Sequence, residues 1–310
     1  MTHDTSSDEL QFNRTPVYIS LGLALALVLA VIVGAKVYFD RLTNQPVAMT
    51  PLPAPDAESA ECASLLESLP DELLGHKRAE LVEPAPAGAA AWQTSELERI
   101  TLRCGVDVPL QYTEYSSTEN IGGAEWLRVD DATPGSTLKT WYTTDRFPVV
   151  AVTTDELGLD GATEPVSELP VAELKEQPVN PSDAPLKQLA GGDSSACAPL
   201  MSVLPDEVAE GYKRLEVAEE FTAAWVADGQ EPVVLRCGVA EPENYEAGVQ
   251  LNQINGVPWF EDTKLINGST SSTWFALGRE AEIAASMPQA VGNEAVVKLT
   301  DAIAESVPEK

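Results

Sequence analysis

Leu102-Arg103-Cys104-Gly105-Val106 is repeated letter for letter as Leu235-Arg236-Cys237-Gly238-Val239, and this repeat decides the fold. Other short motifs recur around it in the same order, which indicates a duplicated structural unit. The matched positions are Cys62 and Cys197, Leu69-Pro70 and Leu204-Pro205, Ala91-Trp92 and Ala224-Trp225, Trp126 and Trp259, Trp141 and Trp274, and Arg146 and Arg279. All four Cys and all six Trp therefore fall into pairs. The sequence predicts two homologous modules, 62–176 and 197–310, with a linker at 177–196.

Each module is predicted to be an antiparallel sheet flanked by N- and C-terminal helices, which is an α+β fold closed by one disulfide. The opening helix of the first module is predicted at 62–74, broken by the proline of the Leu-Pro motif. Alternating apolar and polar residues predict half-buried strands at 100–106 and 233–239. Closing helices are predicted at 166–176 and 294–307.

A further strand and a hairpin are predicted in the second half of each module. The strand covers 126–129, and the hairpin joins 137–144 to 147–153 with its turn near Asp145. The matching turn of the second module contains Gly278, a residue suited to a positive φ.

The four cysteines have the same place in both modules, one in the first helix and one at the end of a central strand. Four Cys allow three pairings, and the repeat favours Cys62–Cys104 and Cys197–Cys237. Closed loops of this length contribute about 4 kcal/mol each in the chain-entropy model. Disulfides indicate an oxidising compartment. A metal or redox site is disfavoured because no CxxC occurs and His76 is replaced by tyrosine in the second copy.

Composition and charge exclude one class of partner. The chain has 310 residues, 49 acidic against 19 basic, and a net charge of −30. So acidic a surface repels phosphate backbones, and we therefore expect no nucleic-acid partner.

An apolar segment near the N-terminus predicts a membrane anchor. Residues 15–35 are uncharged, and as a helix they span about 30 Å, the thickness of a hydrocarbon core. Tyr18 and Tyr38 lie where aromatic rings favour the interface. The alternative is a signal peptide cleaved after Val33-Gly34-Ala35. A basic n-region is missing, since Arg14 stands among three acids, and this favours a retained anchor.

Charges flanking the anchor do not fix its orientation, and the cysteines decide it instead, because they place the modules outside the plasma membrane. A single-pass protein with a cytoplasmic N-terminus is predicted. Its parts are a cytoplasmic tail at 1–14, a transmembrane helix at 15–38, a Pro-rich linker at 39–61, module 1 at 62–176, a linker at 177–196 and module 2 at 197–310.

Paired aromatic and arginine residues are the candidates for a binding surface. Tryptophans could line a ligand groove or belong to the core, and the arginines could grip a carboxylate or form structural ion pairs. These candidates are Trp126, Trp141, Arg146, Trp259, Trp274 and Arg279. An open pocket formed by them would favour a receptor, whereas their burial would favour an adaptor.

The chain resembles one known family in the order of its motifs. These are Cys, Leu-Pro, Ala-Trp and Leu-Arg-Cys-Gly-Val, followed by the Trp and Trp–Arg positions. This pattern is similar to the actinobacterial envelope family catalogued as domain of unknown function 3515. That resemblance implies a cell-envelope location and implies no activity. Family members typically have one module behind a lipoprotein signal or anchor, whereas this chain has two modules and no lipid-accepting Cys.

The sequence predicts no catalytic, cofactor-binding or metal-binding residues, and therefore no enzyme. The acidic pair Asp130-Asp131 suggests glycosidase-like chemistry, but the second copy has Thr263-Lys264 at that place. The hypothesis is a non-catalytic cell-envelope protein with an interaction or structural role. It contacts the plasma membrane through one helix and an envelope protein through its modules. The alternatives are a solute- or wall-glycan-binding receptor and an envelope enzyme.

Overall fold

A computed structural model describes residues 15–43, 45–246, 248–262 and 269–310, with side chains up to residue 38 in the first of these ranges. The predicted cytoplasmic tail at 1–14 and the pair Thr263-Lys264 lie outside the described residues. The chain forms two compact units, one ending at Pro46 and one covering Val47–Lys310.

In its described part, the first unit contains one helix, α1, Thr15–Thr43. Its segment Thr15–Tyr38 is long and apolar enough to cross a membrane. This agrees with the predicted anchor, and a signal sequence near the N-terminus can also form an apolar helix of this kind.

Module 1 is built on an eight-stranded antiparallel sheet. Its strand order is β1-β2-β3-β4-β9-β7-β6-β5, and β8 pairs instead with β10. The strands are β1 Glu72–Leu73, β2 His76–Arg78, β3 Ala89–Gln93, β4 Arg99–Cys104, β5 Glu119–Ile121, β6 Ala124–Asp130, β7 Lys139–Thr143, β8 Arg146–Phe147, β9 Val150–Thr154 and β10 Lys175–Glu176. The helices are α2 Ala60–Ser68, α3 Glu156–Leu159 and a 3₁₀ helix at Pro170–Glu173.

Module 2 repeats this topology with the strand order β11-β12-β13-β14-β18-β17-β16-β15. The strands are β11 Glu207–Ala209, β12 Tyr212–Leu215, β13 Thr222–Val226, β14 Val233–Cys237, β15 Asn252–Ile254, β16 Val257–Asp262, β17 Ser271–Ala276 and β18 Ile283–Pro288. The helices are α4 Cys197–Val203 and α5 Gly292–Ser306. The predicted strands are confirmed in both modules, and so is the hairpin, with Gly278 at a φ of +73°.

One predicted helix is wrong. Residues 166–176 contain only the 3₁₀ helix Pro170–Glu173 and the short strand β10. Pro170 lacks an N–H and disfavours a helical conformation for the residue before it, so an α-helix cannot run through this position. The opening helix likewise ends at Ser68, before Pro70, and β1 follows it. The closing helix of module 2 contains no proline and forms α5 as predicted.

The repeated motifs contact one another in the core. Cys62 is bonded to Cys104 and Cys197 to Cys237, which is the predicted pairing. Each disulfide ties the first helix of a module to the end of a central strand. The Ala-Trp and Leu-Pro motifs also meet, because the indole Nε1 of Trp92 donates to the carbonyl of Pro70 at 2.9 Å. Trp225 and Pro205 make the same bond at 2.8 Å.

Residues 47–59, called strap 1, cover part of the outer face of the module 1 sheet, the face opposite the helices. Val47 is buried and forms a parallel bridge with Leu81. Ala54 packs on an outer-face cluster. Arg103 of the repeated pentapeptide donates to the carbonyl of Thr50 at 2.6 Å. Much of the segment predicted as a Pro-rich linker is therefore packed on the module.

Residues 184–194, called strap 2, lie in the same way on module 2. Leu186 and Leu189 pack against the outer-face cluster around Phe260 and Phe275. Arg236, the counterpart of Arg103, donates to three strap carbonyls at 2.9–3.3 Å. The repeated arginine therefore holds the segment that precedes each module.

Candidate functional site

The paired tryptophans belong mostly to the two cores. Trp92, Trp126, Trp141, Trp225 and Trp259 are each at most 3 % exposed, and Trp274 is half-buried. Trp259 and Trp274 pack edge to face with ring centres 6.5 Å apart. The six Trp and Arg candidates therefore do not form one exposed surface.

The paired arginines hold the C-terminal end of each module against its sheet. Arg146 is 9 % exposed and pairs with Asp145 at 2.9 Å, while its strand β8 pairs with β10. Arg279 is 6 % exposed and donates to the carbonyl of Val307. It also forms an ion pair with Glu309 at 3.4 Å. These contacts give both arginines a structural role, which leaves little of either side chain for a ligand.

A cleft of about 840 Å³ opens beside the core of module 1. Its floor contains Trp126, Trp141 and Arg128, which share one face of strands β6 and β7. One wall is formed by residues 117–122, which include all of β5. The remaining walls are formed by Thr163 and Glu164 of module 1 and by Asp228 and Gly229 of module 2.

The two modules differ at their C-terminal ends, and this difference lies next to the cleft. In module 2 the 15-residue helix α5 covers the sheet, and Trp259 donates its indole N–H to Thr300 of α5 at 2.9 Å. In module 1 this place is taken by the irregular segment 160–174, where Ser167 lies against Gly122. Trp126 therefore donates instead to the carbonyl of Ile121 in β5, at 3.1 Å.

The chain matches one family of known proteins. A family described as "Protein of unknown function (DUF3515)" matches residues 21–179 and, a second time, residues 169–310. The chain belongs to this family. Neither a curated protein nor a solved structure matches the sequence. The double match confirms both the resemblance and the tandem duplication, and each module is a DUF3515 domain.

The rim of the cleft in the first DUF3515 domain is acidic. Glu119 and Asp228 are exposed, and Glu164 is half-buried and accepts from two backbone N–H groups of its own turn. Arg128 is the one basic residue in the described lining, and its Nε lies 2.9 Å from the carboxylate of Asp130. The described lining therefore contains three carboxylates and one guanidinium, which is already paired.

The acidic pair Asp130-Asp131 has structural contacts. The backbone N–H of Asp130 donates to the carbonyl of Gly229 at 2.8 Å, so this residue joins the two DUF3515 domains. The pKa of the Asp131 carboxyl is lowered by hydrogen bonds from Ser136 and Thr133. A carboxyl held ionised in this way is poorly suited to act as a general acid.

His76 is also used within the fold. It is buried, with Nδ1 2.8 Å from the Thr94 hydroxyl and Nε2 2.8 Å from the carbonyl of Gly158. Tyr212, at the same place in the second DUF3515 domain, donates to the carbonyl of Glu231. Burial, followed by the charge of Glu231, raises the pKa of Tyr212 to about 12. Both side chains fill equivalent polar positions in their cores.

Sequence reasoning named Trp126 and Trp141 in the cleft but missed several of its other residues. Arg128, Thr163, Glu164 and Asp228 lie in parts where the two copies differ, and the search for shared residues passed over them. The signal that could have found them is the proline in 166–176, which has no counterpart in α5.

Proposed function

We propose that the chain is a non-catalytic, membrane-anchored protein of the cell envelope that holds a partner protein in the module 1 cleft. The observation that carries this proposal is the difference between the copies: the sheet face covered by α5 in module 2 borders an open cleft in module 1. A duplicated scaffold that is covered by a helix in only one copy can offer a binding surface in the other. The other copy then serves as a support, and its turn at Asp228 and Gly229 completes the wall.

The compartment follows from the disulfides and α1. All four Cys are paired within the modules, and such bonds persist in oxidising compartments. Together with an apolar helix of membrane-spanning length, this supports modules outside the plasma membrane and a short cytoplasmic tail. A membrane-impermeant amine label applied to intact, wall-stripped cells should modify Lys77 and Lys213, which are both exposed.

The partner is tested by site-specific photocrosslinking in cells. A benzoylphenylalanine at Thr163, on the cleft wall, should capture an envelope protein. The matched control is Glu305, an exposed position on α5, the helix that covers the equivalent face. Capture at position 163 but not at 305 supports the proposal. Equal capture at both positions, or none at 163 in cells where the impermeant label reaches the modules, would contradict it.

A further inference from the structure

We infer that the cleft binds an extended, basic segment of the partner, which pairs with β5 as an added strand. This inference rests on the proposed function and names the chemistry of its partner. It starts from the position of β5 at the end of the module 1 strand order, where one side of the strand has no partner strand among the described residues. An edge strand presents backbone N–H and C=O groups that can pair with another chain.

The hairpin geometry shows which backbone groups are available. β5 and β6 are joined by Gly122-Gly123, both at positive φ, as a two-residue type I′ turn requires. In such a hairpin Ile121 and Ala124 form the hydrogen-bonded pair next to the turn. The N–H and C=O of Asn120, one residue further along, therefore point away from β6. The Asn120 side chain bonds to Glu125 on the outer face, which leaves its backbone N–H and C=O for an added strand at the rim of the cleft, on the far side of β5 from the floor formed by β6 and β7.

The length of the cleft suits a short extended segment. Residues 117–122 line it, and the three of them that form β5 measure roughly 10 Å as extended chain. A strand laid beside them directs alternate side chains onto the cleft face, next to Glu119. Asp228 and Glu164 border the same space. The acidic rim therefore selects lysine or arginine at alternate positions of the bound strand.

A glycan fits this site less well. Sugar rings are usually bound by stacking on an exposed aromatic face, and Trp126 and Trp141 are only 1 % and 3 % exposed. Their rings form a packed floor and offer no stacking surface. The open backbone edge can pair with a peptide strand, and the acidic rim attracts basic side chains. Neither feature is required for binding a neutral sugar.

The first test uses the full-length chain in detergent micelles and a fluorescent decapeptide of alternating lysine and valine, followed by fluorescence anisotropy. Saturable binding should weaken about tenfold or more in the double variant Glu119→Lys/Asp228→Lys, because both charges at the rim are reversed. The control Glu67→Lys/Glu243→Lys makes the same change in net charge at exposed sites outside the cleft lining. Equal weakening in both variants would show non-specific attraction and overturn the inference.

The second test separates strand addition from charge. The decapeptide is N-methylated either on its lysines or on its valines, which removes one of two alternate sets of backbone donors and keeps every charge. Methylation of the set that faces β5 should reduce binding about tenfold, and methylation of the other set should have little effect. Identical binding of both peptides would rule out a strand pairing.

A backbone variant gives an independent readout. Asn120→Pro removes the outward N–H, a change tolerated at sheet edges, and should weaken peptide binding. Gln253→Pro at the equivalent place in β15 is the control. If a hexamer of N-acetylglucosamine bound at the cleft and the peptide did not, the strand inference would be overturned, whereas a protein captured by the crosslinker would still support the proposed function.

Discussion

At the scale of single residues, the repeated pentapeptide makes three kinds of contact. Its Cys forms the disulfide, its Arg holds the strap, and its Gly lets the strap approach the sheet. A Cβ on Gly105 would lie 2.3 Å from the backbone of Asp56 and Ala57. The backbone N–H of Asp56 donates to the carbonyl of Gly105 at 3.1 Å. The pentapeptide therefore joins the chain before each module to the middle of its sheet.

We expect Gly105→Ala to destabilise module 1 more than Gly75→Ala. Both glycines have φ near +80°, so both variants incur the cost of a left-handed alanine, about 1–2 kcal/mol. Nothing lies within 4 Å of a Cβ on Gly75, whereas at Gly105 the strap backbone must move. The extra loss in the free energy of unfolding should be about 1–3 kcal/mol, measured by urea titration. Equal losses would show that strap 1 is not held against Gly105.

The sequence could predict the disulfides and the strand at this position, but it could not predict the strap. Periodicity reports which residues of a strand are buried, and it does not report what buries them. The prolines of 39–61 and the small polar residues of 177–196 are typical of linkers. Their attachment depends on Arg103, Arg236 and a few apolar contacts that leave no periodic pattern.

At the scale of elements, α5 distinguishes the two modules. Its residue Thr300 is fully buried and accepts the indole N–H of Trp259. Its hydroxyl donates in turn to the carbonyl of Val296. In module 1, Trp126 donates to a backbone carbonyl instead. A pattern shared by both copies could predict two closing helices, and the proline of 166–176 is the local reason why one of them did not form.

We expect Thr300→Val to destabilise module 2 by about 1–3 kcal/mol, because it leaves the buried N–H of Trp259 without an acceptor at nearly constant volume. The conservative change Thr300→Ser keeps the hydroxyl and should restore most of that bond. Tryptophan fluorescence during urea unfolding gives the measurement. If the serine and valine variants unfolded at the same urea concentration, the bond would be of no consequence for the packing of α5.

At the scale of the whole Val47–Lys310 unit, the two modules are joined by specific contacts. Asp130 of module 1 bonds to Gly229 of module 2, and a Cβ on Gly229 would meet the Asp130 carboxylate at 2.5 Å. The hydroxyl of Tyr115 donates to Glu219 across the same junction at 3.2 Å. The sequence could predict two modules but not their junction, because these residues lie outside the repeated motifs.

The junction predicts a loss of stability in alkaline solution. Burial, with a smaller contribution from the charge of Glu219, raises the pKa of the Tyr115 phenol above its ordinary value near 10. Burial also raises the pKa of Tyr212 to about 12. Between the unfolded and folded pKa values the native state holds more protons than the unfolded chain. The stability contributed by these groups is therefore complete below pH 10 and is lost as the pH rises through the folded pKa values.

We accordingly expect the free energy of unfolding to fall as the pH rises above 10, measured by urea titration at pH 9 and pH 11 at constant ionic strength. Tyr115→Phe should make this fall shallower, because the variant lacks the phenol whose proton is retained on folding. It should also lower stability at pH 8, since Glu219 loses its donor. Tyr245→Phe is the control at an exposed tyrosine of module 2. A slope in Tyr115→Phe equal to that of the unmodified chain would mean that Tyr115 is not shielded by the contact between modules, and the junction would then be open in solution.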